Sequence, residues 1–306
     1  MITTLLDGHE TERAEVILAR YRAIRHRLPP ATFPEQPRHA PDLGALADRF
    51  DAVLFDAFGV LNVGTSPIPG APERIRALRG MGKRLLVLSN TGSATLEQLA
   101  LKYRKWGFDF RPEDIISARS VLEQHLRDHA DDRLWSAIGP AESRLDLLPA
   151  RILPHGPEAL TRADGFLFLS SAGWDRTKQD ALVAALKQRP RPVLVGNPDL
   201  GAPYEDAMSR EPGLYAHDIQ DRSNVVPQFF GKPFANAFDA ALAKLPGIPK
   251  SRIAMLGDTL HTDILGAAAA GIVPVLVTGH GVLKGSDIDQ AMAEADIRPA
   301  WIIPSL

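Results

Sequence analysis

Cysteine is absent from this 306-residue chain. Without thiols there are neither disulfides nor thiolate metal sites, and a cytoplasmic location is the expectation. An excess of one charge is also lacking: 35 Lys and Arg stand against 37 Asp and Glu, for a net charge of -2. That balance argues against a nucleic-acid partner, which needs a basic face. Long apolar runs are missing too. The longest, residues 267–278, is interrupted by Gly271 and Pro274 and is too short to span a bilayer. The first residues carry Asp7, Glu10 and Glu12 rather than the positive start and apolar core of a signal peptide. Neither export nor a membrane partner is expected.

The apolar fraction of 45% and the charged fraction of 24% are ordinary for a globular protein. The length suits one large domain or two ordinary ones. Residues 11–28 read as an amphipathic helix with Ile17, Tyr21, Ile24 and Leu28 at helical spacing. That stripe either packs on the core or forms a dimer or cap contact. Residues 29–41 hold five prolines and read as an extended linker. From residue 52 onward strands and helices alternate: strands at 52–56, 84–89 and 115–118, helices at 71–80 and 94–106. The alternation resumes with strands at 253–256, 273–277 and 300–303 around a helix at 263–270. Such a pattern implies an α/β fold, a doubly wound parallel sheet with helices on both faces. Between the halves, strands at 134–138, 165–169 and 192–195 and helices near 118–129 and 178–188 read as an inserted α/β domain. The expected division is an N-terminal extension at 1–50, a core at 51–118 plus 228–306, and an insert at 119–227.

Four residues follow these elements in order: Asp56 after the run Ala52–Phe55, Ser89 after RLLVL, Lys232 in GKP and Asp258 in MLGDTLHTD. In open α/β sheets the chemistry sits just past the carboxyl ends of the strands. Taken together the four fill every role of a phosphoryl-transfer site, which needs positioning and charge neutralisation above all. Asp56 can attack phosphorus, and Ser89 with the backbone N–H groups of Asn90 and Thr91 can hold phosphate oxygens. Lys232 can neutralise developing charge, and Asp258 can anchor a cation beside Asp56. Asp263 reads as a water-mediated ligand or orienting acid, or alternatively as the N-cap of the helix that follows it. Gly59 and Gly64 read as backbone-geometry residues.

The segments FDAFGVLNVG, LVLSNTGS, VGNPD, GKP and GDTLHTDILGA resemble the haloacid dehalogenase superfamily. The resemblance is strongest to its class II branch, which holds N-acetylglucosamine-phosphatase-like, nitrophenylphosphatase-like and pyridoxal-phosphatase-like enzymes. It covers about residues 50–306. It implies a Rossmann-like core with an inserted cap, Mg²⁺, an aspartyl-phosphate intermediate and a small phosphorylated metabolite as substrate. It further implies that Mg²⁺ is held by Asp56, the Phe58 carbonyl and Asp258, and that Asn197 and Asp199 lie on a cap loop facing the phosphate.

Phe58 departs from that pattern. The family usually carries there an Asp that protonates the leaving group and later activates water. Such help is typically worth about 10²–10⁴-fold, so alkyl esters are expected to turn over slowly. Either the leaving group is a good one, or His261, Asp199 or His217 supplies the proton. Alternatively the enzyme is a metal-independent dehalogenase, whose branch has an aromatic residue here. A phosphonate-cleaving relative would want a cap lysine such as Lys178 or Lys187. The remaining reading is a catalytically impaired protein that binds a phosphometabolite.

Overall fold

The computed structural model describes residues 10–204 and 207–306, so the expectation drawn from Asp7 lies outside the described residues. The chain divides into two compact units. Among the described residues, the core unit holds 22–89, 96–116 and 232–306, and the cap unit holds 10–21, 90–95 and 117–231.

A seven-stranded sheet forms the centre of the core unit. Its spatial order is Arg38–His39, Trp301–Ile303, Val273–Val277, Ile253–Gly257, Ala52–Phe55, Arg84–Ser89 and Ile115–Ser117. The pairings from Arg38–His39 across to Arg84–Ser89 are parallel. Val53, Leu54 and Phe55 are all buried, as a strand covered on both faces requires. From Ala52–Phe55 the chain winds outward through Arg84–Ser89, while its second half starts at the adjacent Ile253–Gly257 and winds the other way. The crevice between these two central strands is therefore the switch point of the sheet. The backbone N–H of Asp56 donates to Leu256 O at 2.8 Å, which extends the ladder to the site itself.

The proline-rich stretch, expected as an extended linker, supplies an edge strand of the core sheet. Pro37 and Pro41 flank Arg38–His39. The N–H groups of Arg38 and Ala40 donate to Ala300 O and Ile302 O at 3.0 and 3.1 Å. Proline lacks a donor and is tolerated at such an edge.

The cap unit contains a five-stranded parallel sheet in the order Gln228–Phe229, Val193–Val195, Gly165–Phe168, Leu134–Ile138 and Arg151–Pro154. Its helices are Ala118–Asp128, Pro157–Arg162, Arg176–Gln188 and Pro212–Ser223. A separate antiparallel sheet joins Thr11–Glu12, Ala207–Arg210 and Gly201–Tyr204. The first helix is accordingly shorter than its periodicity predicts, spanning Ala14–Ala23. Thr11 and Glu12 are drawn into the sheet instead. Ile17, Tyr21, Ile24 and Leu28 are all buried within the single chain.

Candidate active site

Asp56 leaves the end of Ala52–Phe55 half-buried, and its Oδ1 accepts from Lys232 Nζ at 2.6 Å. The same Nζ stands 2.7 Å from Asp263 Oδ1. Lys232 is 2% exposed, so its ammonium has exchanged water for two carboxylates. Asp258 follows Ile253–Gly257 and is also buried. Carboxylate oxygens of Asp56, Asp258 and Asp263 lie within 4.8 Å of one another. Among the described residues this is the one such cluster of acids or histidines.

Asp258 is held from both sides. Its Oδ1 accepts from the Thr259 hydroxyl at 3.0 Å and its Oδ2 from the Val282 N–H at 2.8 Å. A β-carbon on Gly59 or Gly281 would come within 2.5 or 1.9 Å of that Oδ2. Both glycines adopt positive φ, 73° and 78°. They are thus required twice, for conformation and for space. Burial, followed by the negative charges of Asp56 and Asp263, raises the Asp258 carboxyl well above the usual carboxylate range. The hydrogen bonds from Val282 and Thr259 oppose that rise.

Asp263 does not cap the helix that follows it. It sits inside a wide turn, Leu260–Ile264, where the Ile264 N–H reaches back to Thr259 O at 3.3 Å. Its Oδ2 accepts from the Thr259 N–H at 3.2 Å. Single wide turns of this kind are frequent at functional sites. Thr259 thus holds both Asp258, through its hydroxyl, and Asp263, through its N–H.

Ser89 ends its strand and is buried, and Phe58 is half-buried in the loop after Asp56, bridged to Asn62. His261 is buried; burial, then the charges of Arg25 and Arg22, lower its pKa to about 4. It is therefore neutral at neutral pH and holds no imidazolium proton to give a leaving group. Tyr103, unnoticed in the sequence, lies in the core within electrostatic reach of the site. Burial and the charge of Asp56 raise its phenol, and Lys232 lowers it.

The remaining expected residues belong to the cap unit. Asn90 Nδ2 donates to Asp199 Oδ1 at 2.8 Å. Thr91 O accepts from the Arg119 N–H at 3.3 Å. Asn197 directs its side chain into its own loop: Oδ1 accepts from the Asp199 N–H at 3.0 Å, and Nδ2 donates to Glu211 Oε2 at 3.0 Å. Glu211 also accepts from Ser209 Oγ at 2.6 Å and is 6% exposed. Nothing in the sequence marks this acid, since the hairpin that delivers it pairs only in the fold. His217 is buried with its ring stacked on Phe229 at 4.8 Å. Lys178 donates to Gly173 O and is exposed, as is Lys187.

Two family models, both of haloacid dehalogenase-like hydrolases, match residues 53–148 and 229–306. The chain belongs to the haloacid dehalogenase superfamily. The class II architecture, with its inserted cap, is shared by solved relatives. A possible sugar phosphatase of this superfamily from Cytophaga hutchinsonii superposes with a TM-score of 0.77 at 26% identity, over 88% of this chain and 98% of that one. A 4-nitrophenylphosphatase from Thermotoga maritima gives 0.70 at 20% identity over 85% and 96%, a likeness of fold. The acid sugar phosphatase of Staphylococcus aureus is 25% identical over 264 residues, covering 81% of this chain and 99% of the relative.

Proposed function

We propose that this haloacid dehalogenase-type hydrolase is a cytoplasmic, Mg²⁺-dependent phosphatase. It acts on a small phosphorylated metabolite, and the names of its relatives favour a sugar phosphate. The observation that carries the reading is the convergence of Asp56, Asp258, Asp263 and Lys232 at the switch point of the core sheet.

The cluster fits a hard divalent cation. Three carboxylates face one lysine, and burial, followed by the charges of Asp56 and Asp263, raises the Asp258 carboxyl, a cost that a bound cation would offset. Asp56, the Phe58 carbonyl and Asp258 would hold the cation, with Asp263 orienting them. When bound, Mg²⁺ supplies charge neutralisation to the phosphate oxygens. The Asp56 carboxylate attacks phosphorus in line as the substrate's ester oxygen departs with the electron pair of its P–O bond and takes a proton from solvent; water then cleaves the aspartyl phosphate to inorganic phosphate and free Asp56. Lys232 holds Asp56 in place and neutralises charge, while Ser89 and the N–H groups of Asn90 and Thr91 take phosphate oxygens. Asn197 and Asp199 shape the cap loop that selects the substrate. With a phenyl group at residue 58, aryl and acyl phosphates should be cleaved faster than alkyl esters.

The test is phosphate release from alkyl, aryl and acyl phosphates, with Mg²⁺ or EDTA. Mg²⁺-dependent release that falls by about 10⁴-fold or more in Asp56→Asn is expected. No release despite Mg²⁺ binding would overturn this reading in favour of a binding protein, which is the second reading that Phe58 supports. Release of halide from haloacids in EDTA would favour the dehalogenase.

A further inference from the structure

The chain from Glu10 to Tyr21 contributes nothing to the carboxylate cluster, yet it is fastened to the segment that carries Asn197 and Asp199. Thr11–Glu12 pairs antiparallel with Ala207–Arg210, Thr11 opposite Ser209 and Glu12 opposite Met208. The Arg210 N–H donates to Glu10 O at 2.7 Å. The Arg210 guanidinium pairs with Glu10 at 2.7 Å and with Glu12 at 2.9 Å. The Tyr215 hydroxyl adds a bond to Glu10 at 3.2 Å. Further along, Ile17 lies over Gly201, where an added β-carbon would stand 3.2 Å from its Cγ1. The Tyr21 hydroxyl accepts from the Leu200 N–H at 3.1 Å, one residue past Asp199.

These contacts grip both ends of one short segment. At one end Tyr21 takes the donor of Leu200. At the other, the strand bearing Ser209 and Arg210 delivers Glu211, which holds the Asn197 amide. A buried backbone N–H in a turn has no ladder partner and must find one elsewhere. A phenylalanine at position 21 would fill the same space without supplying it.

We infer that residues 10–21 form a strap that sets the geometry of the Asn197–Leu200 turn and thereby the choice of substrate, with Glu10, Glu12 and Tyr21 as positioning residues. The second half of this inference rests on the proposed role of the cap loop in selecting the substrate; the first half does not.

The test uses the full chain with Tyr21→Phe and, separately, Glu10→Gln with Glu12→Gln. Hydrogen exchange reads the turn directly. The Leu200 amide should exchange up to about tenfold faster in Tyr21→Phe, the loss of one hydrogen bond, while amides of Val193–Val195 stay unchanged. KM for sugar phosphates should rise severalfold in both variants, with kcat for acetyl phosphate unmoved. Unchanged exchange at Leu200 would overturn the strap. Equal changes in KM for all substrates, together with a lowered melting temperature, would reduce it to general packing. If the wild type releases phosphate from no compound, the phosphatase reading fails, and the exchange result still decides the strap.

Discussion

The two units fix their polar residues by different means. In the core unit, Asp56 and Asp258 extend from the ends of neighbouring parallel strands, and Asp263 from the turn just beyond. The strand ladder that aligns Ile253 with Ala52 and Leu256 with Phe55 also aligns the carboxylates. In the cap unit, the Asn197–Leu200 turn has no such frame. It is held by Tyr21, Asn90 and Glu211, three residues from separate stretches of the chain. A site on strand ends inherits the rigidity of the sheet, whereas a loop must have its geometry built for it by distant contacts. On the proposed function, the chemistry belongs to the first arrangement and the selection of substrate to the second.

The largest effect that would sharpen this contrast is a gain. Phe58→Asp would place a carboxylate on the rigid loop after Asp56, and alkyl phosphate turnover should rise by about 10²–10⁴-fold. No gain for alkyl esters, with Mg²⁺ affinity intact, would show that residue 58 is not the acid position. Next comes Lys232→Met. Removing the ammonium leaves two of its carboxylate partners uncompensated, so kcat should fall by about 10²–10³-fold. Unfolding in EDTA should show a loss of about 3–5 kcal/mol, partly recovered with Mg²⁺. In the cap unit, Glu211→Ala removes the acceptor that Asn197 Nδ2 and Ser209 Oγ share, leaving Ser209 Oγ with Ala202 O. A stability loss of about 1–3 kcal/mol is expected, with a raised KM for sugar phosphates and unchanged kcat for acetyl phosphate. A fall in kcat for every substrate would break the division of labour.

The smallest effect concerns pH. His155 bonds through Nδ1 to Ser136 Oγ at 3.0 Å and lies against Trp174. Burial, with a smaller contribution from Lys178, lowers its pKa from the ordinary 6.5 to about 4. The folded state thus resists protonation more than the unfolded chain does. The stability this confers is complete above about pH 6.5 and is lost as the pH falls towards 4. His155→Gln should lessen the drop in melting temperature between pH 7 and pH 5 by about 2–4 °C; an unchanged slope would assign the acid sensitivity elsewhere.

What could be read from the sequence follows the same divide. Buried parallel strands appear as uninterrupted apolar runs, so Arg84–Ser89, Val273–Val277 and Leu134–Ile138 are legible residue by residue. Asp56 and Asp258 are legible in the same way, at the ends of the apolar runs Ala52–Phe55 and Ile253–Gly257. Arg38–His39, by contrast, is a strand only because Trp301–Ile303 lies beside it. The hairpin Gly201–Tyr204 and Ala207–Arg210 has no alternating pattern to announce it. Nor are the partners of Asn197 legible: its side chain bonds the Asp199 N–H and Glu211, and the hairpin brings Glu211 there only in the fold. The helix Pro212–Ser223 was signalled by proline at its first position, a cue that the surrounding irregular stretch obscured.

The strand Thr11–Glu12 also bears on how the molecule is made. Its partner Ser209 lies roughly 200 residues later in the chain. At a synthesis rate of about 5–20 residues per second, the strand waits for about 10–40 s on the ribosome before it can pair. An unpaired edge is an invitation to wrong partners, and charged side chains are a common defence. Glu10 and Glu12 carry charge at this edge throughout the wait, and Arg210 neutralises them only once the hairpin has formed. The two acids that bind the strap in the finished protein thus have no Arg210 to pair with until residue 210 has been made.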